Sequence, residues 1–351
     1  MKWLSALLLA GALSLGLFVR STASPFAGAW FVLFSLSCLV LLFTGRHSLP
    51  RNTFTYALLA WGVYITIHAY FYIHTLNADF FWTVLIAPVI YFLAMAREDR
   101  NEILRTHIIA CGAVLLGLAL MACYQSISTD NVHWPFHNRN NLSAILNMGL
   151  VVAVGLALKD RRLWWIVIPF VVAQLGTGSK GGLLSAFIAC LILTYRKSFA
   201  YYATLGAMLC TVLILASGGF FESVASTMDA RVDLWLSTIN MIVDHPMGVG
   251  LGIWNIYYPQ YTDTIIGTGM FAHCDPLQFA AEMGIGAMIL FYILCGVATA
   301  RTTQASLIPF CAILAVVLHT HISFHLYHPA IMILLSICLV AWEDKCEKVS
   351  C

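Results

Sequence analysis

The chain has 351 residues, of which 61% are apolar and only 10% charged. A soluble globular domain carries about 25% charged residues, so the composition excludes one and implies an integral membrane protein. The net charge of +2 offers no footing for nucleic-acid binding. A helix needs about 20 apolar residues to cross a bilayer. Taken in chain order, twelve stretches are candidates: 3–19, 25–44, 53–73, 79–96, 106–124, 141–158, 163–177, 182–195, 200–217, 279–300, 304–321 and 328–342. The first follows Met1-Lys2 like a signal peptide, but a second apolar run starts at Pro25, so it reads as a retained span. The seventh and eighth are short and must tilt, break or pair as a hairpin. Between the ninth and tenth lies a long polar, glycine- and aromatic-rich loop, 218–278. Such a loop is uncommon unless it carries function. Residues 1–351 therefore read as one all-α, polytopic membrane domain of about 12 spans. There is no internal repeat and no separate soluble domain. Most of the eleven cysteines sit inside apolar runs, which suits packing rather than a disulfide framework.

The charges orient this scheme. With the N-terminus in the cytoplasm and the spans alternating, fourteen of the eighteen Lys and Arg fall inside and four outside. That satisfies the positive-inside rule. Both termini are then cytoplasmic and the 218–278 loop is extracytoplasmic. The four outer cations are Arg20, Arg139, Lys180 and Arg231. Arg20 sits in a short turn. The other three run against the topology bias in unusual surroundings: Arg139 in HWPFHNRNNLS, Lys180 in LGTGSKGGLLS, and Arg231 in the long loop.

Within that loop, 226–244 reads as a helix with Arg231 and Trp235 on one face, and Leu234, Ile239 and Ile242 suited to packing on the membrane surface. Gly248, Gly250 and Gly252 predict a tight segment of close approach. Trp254, Tyr257, Tyr258 and Tyr261 suit a membrane interface or stacking on a sugar. At FAHCDP, Asp275 reads as an N-cap and Pro276 as the first helical residue, which sets His273 at the mouth of the tenth span. Gln278 and Glu282 share a face of that span. An ionisable group there is a functional candidate, with a structural partnership to Arg231 or a histidine as the alternative. The glycines around Lys180 favour an anion, or simply a tight hairpin. The segment is no Walker A motif, because no Ser or Thr follows the Lys. No Gly-x-Ser-x-Gly frames Ser179, so an intramembrane serine protease has no support. His319, His321, His325 and His328 read as hydrogen-bonded or interface histidines rather than a metal site.

In this order, PFHNRNNLSAIL, GSKGGLL, Arg231 with Leu234-Trp235, HPMGVGLG and AHCDPLQFAAEMGIG resemble the O-antigen ligase and polymerase superfamily, by motif over about 130–290. The resemblance implies a GT-C-like inverting glycosyltransferase of the bacterial inner membrane that takes its glycan from undecaprenyl pyrophosphate on the periplasmic side. The acceptor is lipid A-core for a ligase, or another lipid-linked repeat unit for a polymerase. The family commonly has Ser-Arg where this chain has Ser179-Lys180, and Lys keeps the charge without the bidentate fork. It often has His-Asn where this chain has His273-Cys274. The outer loop is short for a ligase, which keeps the polymerase open. On this resemblance Arg231 and Lys180 bind the donor pyrophosphate, Arg139 supports them or holds the acceptor, and His273 is the general base. Glu282 and Trp235 are supporting residues. No metal or cofactor is expected, since side-chain cations meet the phosphate charge. Partners are the lipid-linked donor, a glycan or lipid acceptor and membrane lipids, with no nucleic acid. The competing class is a polytopic transporter. Transporters place charge near the bilayer midplane, whereas here the span centres are nearly free of it.

Overall fold

The computed structural model describes residues 2–17, 25–43, 51–74, 77–128, 132–136, 138–195, 220–262 and 271–350. Among these the regular structure is helical, without strands. The first eight helices are α1 (Lys2–Gly16), α2 (Pro25–Phe43), α3 (Thr53–Phe71), α4 (Ala78–Met95), α5 (Arg100–Ser128), α6 (Arg139–Lys159), α7 (Trp164–Gly176) and α8 (Lys180–Thr194). After them come α9 (Phe220–Asp244), the single turn α10 (Trp254–Tyr257), α11 (Asp275–Met283), α12 (Ile285–Arg301), α13 (Leu307–Thr320) and α14 (Pro329–Ser350). The expected ninth span, 200–217, lies outside the described residues.

Three helices, α3, α5 and α6, are long and apolar enough to cross a membrane by length and composition, and several shorter apolar helices accompany them. Burial separates their roles: 83% of the apolar window of α6 is enclosed, against 39% for α3 and 33% for α5. The centre of the bundle is therefore α6, packed by α7, α8 and α13. In lipid there is no hydrophobic drive between helices, so small residues and interhelical hydrogen bonds carry the packing. Gly149 leaves room for the Phe170 ring and Gly155 for Ile308. Asn147 Nδ2 donates to Gly182 O at 2.9 Å, and Gln174 Nε2 to Ser143 Oγ at 2.6 Å. All nine described cysteines are free thiols.

The expected tenth span is broken. It starts at Asp275 rather than 279, and Gly284 at φ +87° divides it into α11 and α12. A Cβ at Gly284 would strain this left-handed backbone and press on the Met247 backbone. The break lets the chain that follows α9 dock against it. Val249 N–H donates to Ala281 O, Gly250 N–H to Glu282 O, and Ile285 N–H to Pro246 O, at 2.9–3.1 Å. Gly248, at φ +84°, sits against the Glu282 carbonyl, which bears out the expected tight segment. Tyr72, the C-cap of α3, donates its Oη to Gly248 O at 2.9 Å, and Tyr64 of α3 donates to Met283 O at 2.7 Å.

Candidate active site

The starts of α6 and α8 lie side by side at this same end of the bundle. Asn138 caps α6 by accepting from Asn140 N–H at 2.8 Å. Ser179 caps α8 by accepting from Gly182 N–H at 3.3 Å. The two caps are tied together, because Ser179 Oγ donates to Asn140 Oδ1 at 2.8 Å. Two helix N-termini thus meet, and the positive ends of their dipoles favour an anion. Arg139 opens α6 and Lys180 opens α8. The Arg139 guanidinium lies over Gly178, whose φ of +59° turns the chain into α8. Lys180 is held below its ordinary value by burial first and then by the charges of Arg139 and Arg231.

Arg231 arrives from α9. This helix is amphipathic, and Leu234, Thr238 and Met241 on its inner face are buried. Leu234 and Met241 pack with Trp254, Tyr258 and Ala281, while the Thr238 hydroxyl accepts from Trp254 Nε1 at 3.2 Å. Leu234 therefore packs on protein rather than on a membrane surface, and Ile242 joins the same cluster. The stripe that faces outward is Val232, Leu236, Ile239 and Val243. Trp254 and Tyr258 stack on one another at 4.5 Å and are enclosed, so they serve this small core and are not presented to a sugar. Arg231 is half-buried on the flank of α9, a turn before Trp235. Burial, and then the charge of Arg139, hold it below its ordinary value. The buried indole Nε1 of Trp235 has no hydrogen-bond partner among the described residues.

His273 stands just before α11 at φ +53°, a left-handed backbone that a non-glycine residue keeps only when its surroundings hold it there. Its ring packs edge-on against Phe324 at 4.9 Å, and Phe271 stacks on Phe324 at 4.2 Å. Gln278 Oε1 accepts from the backbone N–H of Ala272 at 2.6 Å, which fixes the turn. Burial first, and then the Arg231 charge, push the His273 imidazole down to about 4. It is therefore neutral near pH 7 and able to accept a proton.

Two expectations need correcting. Asp275 does not cap its own helix. It is the first residue of α11, and its Oδ2 accepts from His325 N–H at 2.8 Å and Leu326 N–H at 3.0 Å. Glu282, expected to support the site or to pair with Arg231 or a histidine, bonds to neither. Its Oε1 accepts from Gln278 Nε2 at 2.8 Å and from Trp254 N–H at 3.3 Å, and its Oε2 accepts from Tyr327 Oη at 2.9 Å. With both oxygens so engaged, this enclosed carboxylate ties α10 and α11 to the chain before α14.

The histidines near the last two helices divide. His321 meets Tyr292 at 3.2 Å, and His328 packs on the Phe136 ring at 4.9 Å. His319 and His325 lie together, ring centroids 4.2 Å apart. No group of three or more His, Cys, Asp or Glu side chains among the described residues is placed to hold a metal. Arg139, Lys180 and Arg231 thus come together from three separate helices, with the charge of Arg231 felt at His273. Missing from the sequence-derived set are Asn141 and His325, which bond each other at 2.9 Å beneath the site. Both stood in motifs of interest, but nothing in their spacing paired them.

Residues 165–292 match the family model for O-antigen ligase. This interval holds Lys180, Arg231, Trp235, His273 and Glu282, while Arg139 and His325 lie outside it. Comparison with curated proteins gives no match.

Proposed function

Through residues 165–292 the chain belongs to the O-antigen ligase and polymerase superfamily, and from that premise we propose that it is a membrane glycosyltransferase using a glycan linked to undecaprenyl pyrophosphate. The observation that carries the proposal is that Arg139 and Lys180 open two helices whose caps are bonded to each other, with the Arg231 charge felt at both Lys180 and His273. Arg231, Lys180 and Arg139 hold the donor pyrophosphate. As the glycosidic bond breaks, the leaving pyrophosphate gains charge, and cations fixed there stabilise the transition state more than the ground state. Trp235 supports Arg231 from the next turn of the same helix. His273 takes the proton of the acceptor hydroxyl as that oxygen attacks the anomeric carbon from the face opposite the pyrophosphate, so the product is inverted. The active site faces the periplasm in a twelve-span inner-membrane protein whose termini are cytoplasmic. The acceptor is lipid A-core, as for a ligase.

The test is transfer from purified lipid-linked donor. His273→Ala with near-normal turnover would remove the base assignment. Arg231→Ala with unchanged donor affinity and rate would remove the pyrophosphate role. The glycan profile of a deletion strain separates the acceptors. Polymer left on its lipid carrier indicates a ligase, and a single repeat unit on core indicates a polymerase.

A further inference from the structure

Between the histidine and the cations runs a line of contacts whose middle member is His325. It lies in the connection between α13 and α14 and is fully enclosed. Its backbone N–H donates to Asp275 Oδ2, two residues beyond His273. Its imidazole Nδ1 lies 2.9 Å from Asn141 Oδ1, two residues beyond Arg139. An amide oxygen only accepts, so Nδ1 carries the proton. The line continues from Asn140, next to Asn141, to Ser179 Oγ, on the residue before Lys180. Phe324, next to His325 in the chain, is the ring against which His273 packs. Burial, followed by His319, His328, His273 and Arg231, holds His325 well below its ordinary value, so it brings no charge of its own.

We propose that His325 is a positioning residue that sets the separation between the base His273 and the cations Arg139 and Lys180, an inference that rests on the transferase reading. Attack on the anomeric carbon needs the base on one face and the pyrophosphate clamp on the other. A displacement of about 1 Å between them costs about a hundredfold in rate. The left-handed backbone at His273 is braced by the Gln278 bond to Ala272 N–H and by the Phe324 ring, while Asp275 ties the start of α11 to the His325 backbone. His325 joins them to α6 without touching substrate.

The experiment uses the full-length protein in lipid nanodiscs. Binding is probed with undecaprenyl pyrophosphate alone. Turnover is measured with purified undecaprenyl-pyrophosphate-linked repeat unit, offered lipid A-core and, separately, a second repeat unit. In His325→Leu we expect kcat to fall by about 30-fold or more while undecaprenyl pyrophosphate affinity stays within about 2-fold. His325→Gln, whose amide still donates to Asn141 Oδ1, recovers most of the loss. Asn141→Leu reproduces it, and the double variant is no worse than either single one, as residues acting as one unit require. If His325→Leu does not fold, Asn141→Leu and His325→Gln carry the same comparison. The proposal is overturned if the Leu variants keep kcat within about 3-fold of wild type. It is also overturned if Gln and Leu lose activity equally, or if affinity falls in step with kcat. Wild-type protein that neither binds undecaprenyl pyrophosphate nor transfers glycan overturns the transferase reading itself, a result distinct from all of these.

Discussion

The two ends of the helical bundle handle charge in opposite ways. At the end where α12 finishes and α14 extends, cations meet carboxylates. Arg301 Nη2 donates to Glu343 Oε1 at 2.6 Å, and Asn52 Nδ2 donates to the same oxygen at 2.9 Å. Arg100 reaches both Asp344 and Glu347, Lys348 reaches Asp344 at 2.6 Å, and Arg97 pairs with Asp99 at 2.8 Å. At the other end Arg139 and Arg231 make no ion pair with a carboxylate among the described residues, Asp275 and Glu282 included. Those two carboxylates are engaged by backbone N–H groups and neutral side chains instead. Gathering like charges costs stability, and no carboxylate among the described residues pairs with Arg139 or Arg231 to relieve it. The first end ties helices together through ion pairs, and on the proposed function the second holds the donor's anion.

Substitutions at the two ends should therefore read out in different measurements. The largest expected effect is His273→Ala, which should lower kcat by about 10² to 10⁴ with little change in melting temperature. Arg231→Ala follows, with kcat/KM for the lipid-linked donor down by about 10² to 10³, as for loss of one fixed transition-state charge. At the opposite end, Arg301→Ala should leave the turnover of folded protein intact. It strands the enclosed Glu343, and a thermal melt should report a loss of about 2–4 kcal/mol, Arg301 itself being partly exposed. If Arg301→Ala instead abolished transfer in well-folded protein, the division between the ends would fail.

Acidity offers a subtler probe. Folded His273 binds its proton only near pH 4, whereas an unfolded histidine does so near about 6.5. Between these values the unfolded chain holds more protons, so stability should fall as pH drops from about 6.5 towards 4. Arg231→Ala should make this decline shallower, because the Arg231 charge contributes to the depression. Melting temperature against pH for the two proteins measures it. The smallest effect expected is Lys180→Arg, within about 5-fold of wild type in donor KM, since the charge is retained.

How much of this was legible in sequence depends on how local the cause is. Three of the expected spans were, because length and apolarity act locally: 53–73, 106–124 and 141–158 correspond to α3, α5 and α6. The glycine turn at 248–252 was, because only positive φ and close approach explain so many glycines together. The break at Gly284 was not, because its reason is the backbone of residues 246–250 lying against it. Asp275 looked like an N-cap from its neighbours alone, and its true partners are some fifty residues away. Glu282 stood out correctly as an ionisable group in an apolar segment, but its partners Trp254 and Tyr327 follow from tertiary packing. Of the candidate site, the cations and His273 were visible by type and by their departure from the topology bias. The Asn141–His325 pairing was invisible, since it joins residues 184 apart.

The central claim, that one end of the bundle holds the donor pyrophosphate, is tested most directly by equilibrium binding of undecaprenyl pyrophosphate to wild type, Arg231→Ala and Arg301→Ala. The account predicts that Arg231→Ala weakens binding by about 10-fold or more, while Arg301→Ala stays within about 2-fold. Equal affinity in wild type and Arg231→Ala would contradict it.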